Sequence, residues 1–429
     1  MALDAIETTN QARNITKTDA KRTNMHKLAT VFVFLTALLD SVGFGIIMPV
    51  LPSLLADITG EGAAYTVRVA GWLMFVFAFI QFFFAPIVGN LSDRYGRRPV
   101  LLLSLLVMGV NYLIMGFADS LLLLFIGRII SGLGASTMST CNAYLADITP
   151  IDERAQSFGL IGAAFGLGFV FGPIIGGFLG EYGARVPFFA AGIISLANML
   201  FGFIVLKESL DPSNRRLFDL KRANPIGTLT SLSAFPMVLG ILFVMFVYNL
   251  GHHVLPSTWS FWAIEQLDWS PKEIGYSLGF VGLGMAFTQG FLIRIVLPRT
   301  GPKIAGIIGM SLTMIALLGY AFSTQSWMVY LALIPGALGG LSSPAMQGIL
   351  STKVGPDQQG ELQGGLASVM SLTSIISPLM MTQTFGYFSS DQAPVYFPGA
   401  AFLLAAILTA VALLMFIRIA RSPDYEKAH

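Results

Sequence analysis

The chain has 429 residues, 55% of them hydrophobic and only 11% charged, with a mean hydropathy of +0.73 and a formal net charge of +2. Such a composition excludes an ordinary soluble fold and points to repeated bilayer-spanning segments. One cysteine, Cys141, excludes an intrachain disulfide framework and any multi-cysteine metal site.

Residues 1–27 are polar, lack an apolar signal-like stretch and carry Arg13, Lys17, Lys21, Arg22 and Lys27, so they read as a cytoplasmic tail. Apolar windows then follow, centred near Leu38, Phe79, Leu106, Gly134, Phe169, Ser195, Val244, Gly284, Leu312, Gly339, Ser371 and Ile407. Each approaches the roughly 20 residues that cross a ~30 Å hydrocarbon core, and together they predict twelve helices. Between the second and third lies the charged turn Gly89 to Pro99, carrying Asp93, Arg94, Gly96, Arg97 and Arg98. The longest internal polar stretch, Lys207 to Asn224, falls at the midpoint and is interrupted by Pro212, with Pro225 just beyond it.

The expected organisation is an all-α membrane protein in two pseudo-symmetric six-helix bundles. A tail over 1–27 precedes a first bundle over 28–206, a cytoplasmic linker over 207–232, a second bundle over 233–420 and a tail over 421–429. With both termini inside, the cytoplasmic segments hold 21 Lys and Arg residues and the outer loops only Arg68, Arg185 and Lys272, leaving Arg128 within the membrane. That asymmetry sets the orientation and a multi-pass location in the cell (inner) membrane. The halves echo each other at an offset of 205 residues, which pairs Gly96 with Gly301 and Pro173 with Pro378. Parallel repeats of this kind place a binding cavity near the midplane and open it to either side by rocking.

The loop Gly89-Asn90-Leu91-Ser92-Asp93-Arg94-Tyr95-Gly96-Arg97-Arg98 resembles the signature loop of the major facilitator superfamily, Gly-x-Leu-x-Asp-Arg-x-Gly-Arg-Arg, at every position. Gly127 to Gly132 resembles that family's intramembrane arginine motif, and Gly162 to Gly177 the motif of its antiporters. The stretches Leu39 to Pro52, Ala146 to Thr149, Pro344 to Gly348 and Gln358 to Gly364 are similar to the tetracycline-resistance group of drug:proton antiporters. The chain departs from that group where it keeps polar residues, having Asn111 in the third helix and, near two further positions, Phe287 and Met310.

Several residues are candidates for function, each with a plainer reading beside it. Asp40 lies mid-depth in the first helix, where a carboxylate costs at least ~2.5 kcal/mol, and is either a proton-coupling or substrate site or a carboxylate held by neighbouring groups. Arg128 is either a coupling partner or a static hub. His252 and His253, just before Pro256, are proton carriers or serve the kink. Gly168, Gly172 and Gly176 share one face around Pro173 and are expected to seal the interface between halves, or simply to pack. Gly89, Asp93, Arg94, Gly96, Arg97 and Arg98 are expected to gate, with Asp93 near the start of the eleventh helix around Gln358. Asn111, Tyr112, Asn142, Trp259, Trp262, Gln289, Met346 and Gln347 are expected to line the cavity with Asp40.

No nucleotide-binding Gly-x-x-x-x-Gly-Lys-Ser/Thr occurs, and no catalytic or metal constellation is evident, so neither enzyme activity nor a cofactor is expected. The expected partners are a small-molecule substrate, protons and the lipid bilayer, with no nucleic acid, and the expected state is a monomer. The leading reading is proton-coupled efflux of an amphipathic drug-like molecule. A facilitator or symporter for a metabolite, and a non-transporting receptor on the same fold, are the rival readings.

Overall fold

The computed structural model describes residues 28–134, 137–150, 154–216, 236–355 and 358–422. The expected tail 1–27, most of the linker and residues 423–429 lie outside the described residues. Eleven helical runs are long and apolar enough to cross a membrane. They are α1 Leu28–Ile47, α2 Ala63–Tyr95, α3 Arg97–Phe117, α4 Leu121–Ile148, α5 Arg154–Gly180, α6 Val186–Val205 and α7 Pro236–Leu267, followed by the run Pro271–Phe322, then Ser326–Thr352, Gln359–Phe388 and Ala400–Ala420.

The run Pro271–Phe322 has 52 residues. At 1.5 Å per residue it would span ~78 Å, more than twice the hydrocarbon core. It breaks at Gly301, whose φ of 74° and ψ of 164° are not helical. Two crossings result, α8 (271–300) and α9 (302–322), so the last three helices are α10 Ser326–Thr352, α11 Gln359–Phe388 and α12 Ala400–Ala420. The described residues therefore contain the twelve expected helices.

Gly96 breaks α2 from α3 in the same manner, with φ 108° and ψ 160°. Positive φ is open to glycine at little cost. The pair Gly96 and Gly301 thus marks the same reversal in both halves, as the 205-residue offset predicts.

Two pairs of helices make most of the contact between the halves, α2 with α11 and α5 with α8, and α7 adds a smaller contact with α2. The repeat offset carries each pair onto the other. The close approaches at their glycines, Gly71 and Gly386 in one pair and Gly177, Gly275 and Gly279 in the other, lie toward the end of the molecule that holds Arg68. A Cβ on Gly275 of α8 would come within 3.2 Å of Gly177 Cα on α5, and Gly71 of α2 lies against Thr382 of α11.

The apolar cores follow the same geometry. At the Arg68 end one core mixes both halves, with Ile46, Leu54, Val67 and Leu73 beside Trp259, Trp262, Met381 and Phe385. At the Arg97 end there are two cores. One belongs to the first half, around Phe32, Leu101 and Tyr144. The other belongs to the second half, around Met245, Met310 and Phe416. The molecule is closed at the Arg68 end and parted at the Arg97 end.

Candidate functional site

Asp40 stands about a dozen residues into α1, half-buried. One face of α1, Leu38, Ser41, Val42, Gly45 and Ile46, packs on Gly168, Gly172 and Gly176 of α5. At 3.6 residues per turn Asp40 falls on the opposite face, which it shares with the exposed Phe44. Tyr112 of α3 reaches this face, its hydroxyl against Gly43, and it feels the charges of both Asp40 and Arg128. Asp40 also acts on Cys141 of α4. A carboxylate on α1 and a phenol from α3 therefore stand on neighbouring positions of α1, and the guanidinium of Arg128 belongs to α4, which packs on α3.

Arg128 Nε and Asn111 Oδ1 are buried without a hydrogen-bond partner among the described residues. Asn111 is 1% exposed, and its Nδ2 approaches Met115 Sδ at 3.8 Å. A polar atom left unsatisfied in an apolar interior costs about 1–3 kcal/mol.

The antiporter glycines lie elsewhere than expected. Gly168, Gly172 and Gly176 face α1 within the first half, and the seam between halves uses the neighbouring face of α5: Val170, Pro173, Ile174 and Gly177 against Gly275, Gly279 and Gly282 of α8. Helical periodicity gives a shared face but not which helix occupies it. The seam face of α5 continues through Gly166, Gly162 and Gly159, and that of α8 reaches Gly290. A Cβ on any of these four would meet nothing within 4 Å.

The charged turn is also placed differently from expectation. Asp93 Oδ1 pairs with Arg97 Nη1 at 2.6 Å, and Arg97 Nε reaches Asp147 Oδ2 at 3.2 Å. Gln358, the N-cap of α11, makes no side-chain cap hydrogen bond, and open space lies beside Gly89 and Gly360. The contact of Asp93 with α11 is absent because the halves are parted here. Glu208 holds the turn instead: it accepts the amides of Arg97 and Arg98, at 2.8 and 3.3 Å, at the start of α3. Arg98 Nη2 donates to the Phe203 carbonyl at 2.8 Å, and Arg94 lies over the Tyr95 ring.

In the second half, α7 bends at His253. The His253 Nδ1 lies 2.9 Å from the Asn249 carbonyl and its Nε2 lies 3.2 Å from Ser374 Oγ on α11. His252 stacks on Tyr248 at 5.8 Å, and the Tyr248 hydroxyl meets Thr313 Oγ1 at 3.1 Å. Asn142, Gln289 and Gln347 are exposed. Gln289 lies in a five-residue π-helical turn, Thr288–Leu292, a rare form that is frequent at functional sites. Trp259, Trp262 and Met346 are not on an open surface: all are at most 1% exposed, the two indoles 5.4 Å apart in the shared core. An apolar run in sequence does not separate a core indole from a lining one.

Sequence reading missed Glu208, Ser374 and the role of Arg68 across the halves. Their partners are 110 or more residues away, so no local spacing signals them. The profile of the Major Facilitator Superfamily matches residues 33–378 and 241–429. The chain belongs to that superfamily. It is 38% identical over 385 residues to the tetracycline resistance protein, class C, of Escherichia coli, across 90% of this chain and 95% of that one. It is 35% identical over 388 residues to the class H protein of Pasteurella multocida, across 90% and 94%. The crystal structure of the human organic anion transporter MFSD10 (TETRAN) superposes with a TM-score of 0.66 at 24% identity, covering 91% of this chain and 99% of that chain, and shares the fold.

Proposed function

We propose that this superfamily member is a proton-coupled exporter of amphipathic small molecules, with tetracycline-like compounds within its range. It works as a monomer in the cell (inner) membrane, both termini are cytoplasmic, and the bundles 28–206 and 233–420 rock about the midplane. The Arg97 end is then the cytoplasmic mouth, and the structure is the inward-open state.

The observation that carries the coupling is Asp40: a carboxylate about a dozen residues into α1, turned away from the packed α1–α5 face, with the Tyr112 hydroxyl reaching the same helix at Gly43. Ionisable groups at such depth mark ion and proton pathways. The substrate class rests on the names of the relatives, which span nearly the whole chain. Within this reading Asp40, Arg128, His252 and His253 carry coupling, and Asn142, Gln289 and Gln347 meet the substrate. Resistance profiling in an efflux-deficient host tests it. Wild type raises the inhibitory concentration of amphipathic compounds and equally expressed Asp40→Asn does not; a flat profile for wild type across the panel overturns the reading.

A further inference from the structure

Arg68 enters the sequence only as one of three basic residues assigned outside. In the structure it is half-buried near the start of α2, and its Nη2 donates to the Gly386 carbonyl at 2.8 Å, crossing from the first half to the second. Gln383 Nε2 donates back to the Arg68 carbonyl at 3.3 Å. Gly386 belongs to the last turn of α11, where four carbonyls lack intrahelical partners. Backbone amides take three of them: Phe385 receives Ser389 at 2.9 Å, Tyr387 receives Ser390 at 3.2 Å, and Phe388 receives Phe397 at 2.9 Å. The remaining carbonyl, that of Gly386, takes Arg68. The approach needs a glycine, since a Cβ there would stand 2.7 Å from the Ala64 carbonyl and from Arg68 Cγ.

We propose that Arg68 latches the closed end of the transporter by seating its guanidinium on the carbonyl pole of α11. Asp93, at the other end of α2, takes the amide pole of α11 when the molecule opens the other way. A helix favours cations at its C-terminus and anions at its N-terminus. The two residues have the matching signs at the matching ends, ~38 Å apart along one helix. In this conformation the Arg68 seat is filled, while Asp93 is held by Arg97 and the α11 N-cap makes no side-chain cap hydrogen bond. Rocking two stiff helices fills one seat by emptying the other. The repeat-related position, Glu273, is committed to the capping box with Ser270 that starts α8, so the device belongs to one half. It rests on the two-state working of the transporter and not on its cargo or coupling ion.

The test is a distance measurement by pulsed electron spin resonance on the full chain in nanodiscs. Labels are placed at Glu61→Cys and Asp391→Cys, exposed positions of opposite halves at the Arg68 end, in a Cys141→Ser background. The parent gives a dominant short distance. Arg68→Gln enlarges the long-distance population about ten- to hundredfold, and Arg68→Lys, which keeps the charge but not the fork, lies between. Arg185→Gln is the control, because Arg185 bonds the Gly116 and Ala118 carbonyls of its own half. A folded Arg68→Gln protein with the parent distribution, or a shift no larger than that of Arg185→Gln, overturns the latch. Should Arg68→Gln not fold, Arg68→Lys is held to the same criterion. Transport is not part of the readout, so a failed substrate assignment leaves the result intact.

Discussion

Replacing Gly275 by alanine adds one carbon at a close backbone crossing between the halves. That carbon would stand 2.5 Å from the Pro173 carbonyl oxygen, 3.2 Å from Gly177 Cα and 3.3 Å from the Pro173 carbonyl carbon. All three are backbone atoms of α5, so no rotamer change relieves them, and the helices must part. Overpacking of this kind costs about 1–3 kcal/mol. In the rocking mechanism proposed above the alternative conformation parts this seam, so the cost falls on the conformation seen here. The equilibrium is expected to move about 5–150-fold toward the form open at the Arg68 end. Gly290→Ala on the same helix is the comparison, since nothing lies within 4 Å of its Cβ and the present state pays no penalty. The spin-label pair at positions 61 and 391 reads both variants. Gly275→Ala giving the parent distribution in folded protein would refute the assignment of the α5–α8 crossing as the closure.

Two further outcomes are expected. Glu208→Ala removes a carboxylate that accepts the amides of Arg97, Arg98, Ser209 and Leu210; chemical denaturation should show a loss of about 1 kcal/mol, with Glu208→Gln intermediate. Asp93→Asn should leave the present conformation folded and reduce the population open at the Arg68 end about 2–5-fold, read by the same labels; an unchanged population would remove Asp93 from the proposed gate.

The helix number, the internal repeat and the family were legible because each is written locally: apolar runs of sufficient length, Gly96 and Gly301 at matching reversals, and the charged turn between α2 and α3. The partners of those residues were not. Gly168, Gly172 and Gly176 show a smooth face in sequence, yet only the fold places α1 against it and the other half against Val170 and Gly177. Asp93 was expected at the start of α11 because a helix N-terminus favours a nearby negative charge, whereas the structure pairs it with Arg97. From sequence Trp259 and Trp262 read as lining the cavity or as belt residues at the membrane interface, and their burial puts them in the core instead. Arg68 looked like an orientation signal because its acceptor is a backbone carbonyl 318 residues away, which no side-chain pattern announces.

The central claim is that proton movement through Asp40 drives export. Purified protein in liposomes with an acid interior, supplied with an amphipathic dye outside, tests it directly, since outward protons then drive dye inward. Accumulation by wild type that collapses with the gradient, and its loss in folded Asp40→Asn that still binds dye, are the predicted results. Dye uptake indifferent to the gradient, or gradient-driven accumulation preserved in Asp40→Asn, would contradict it.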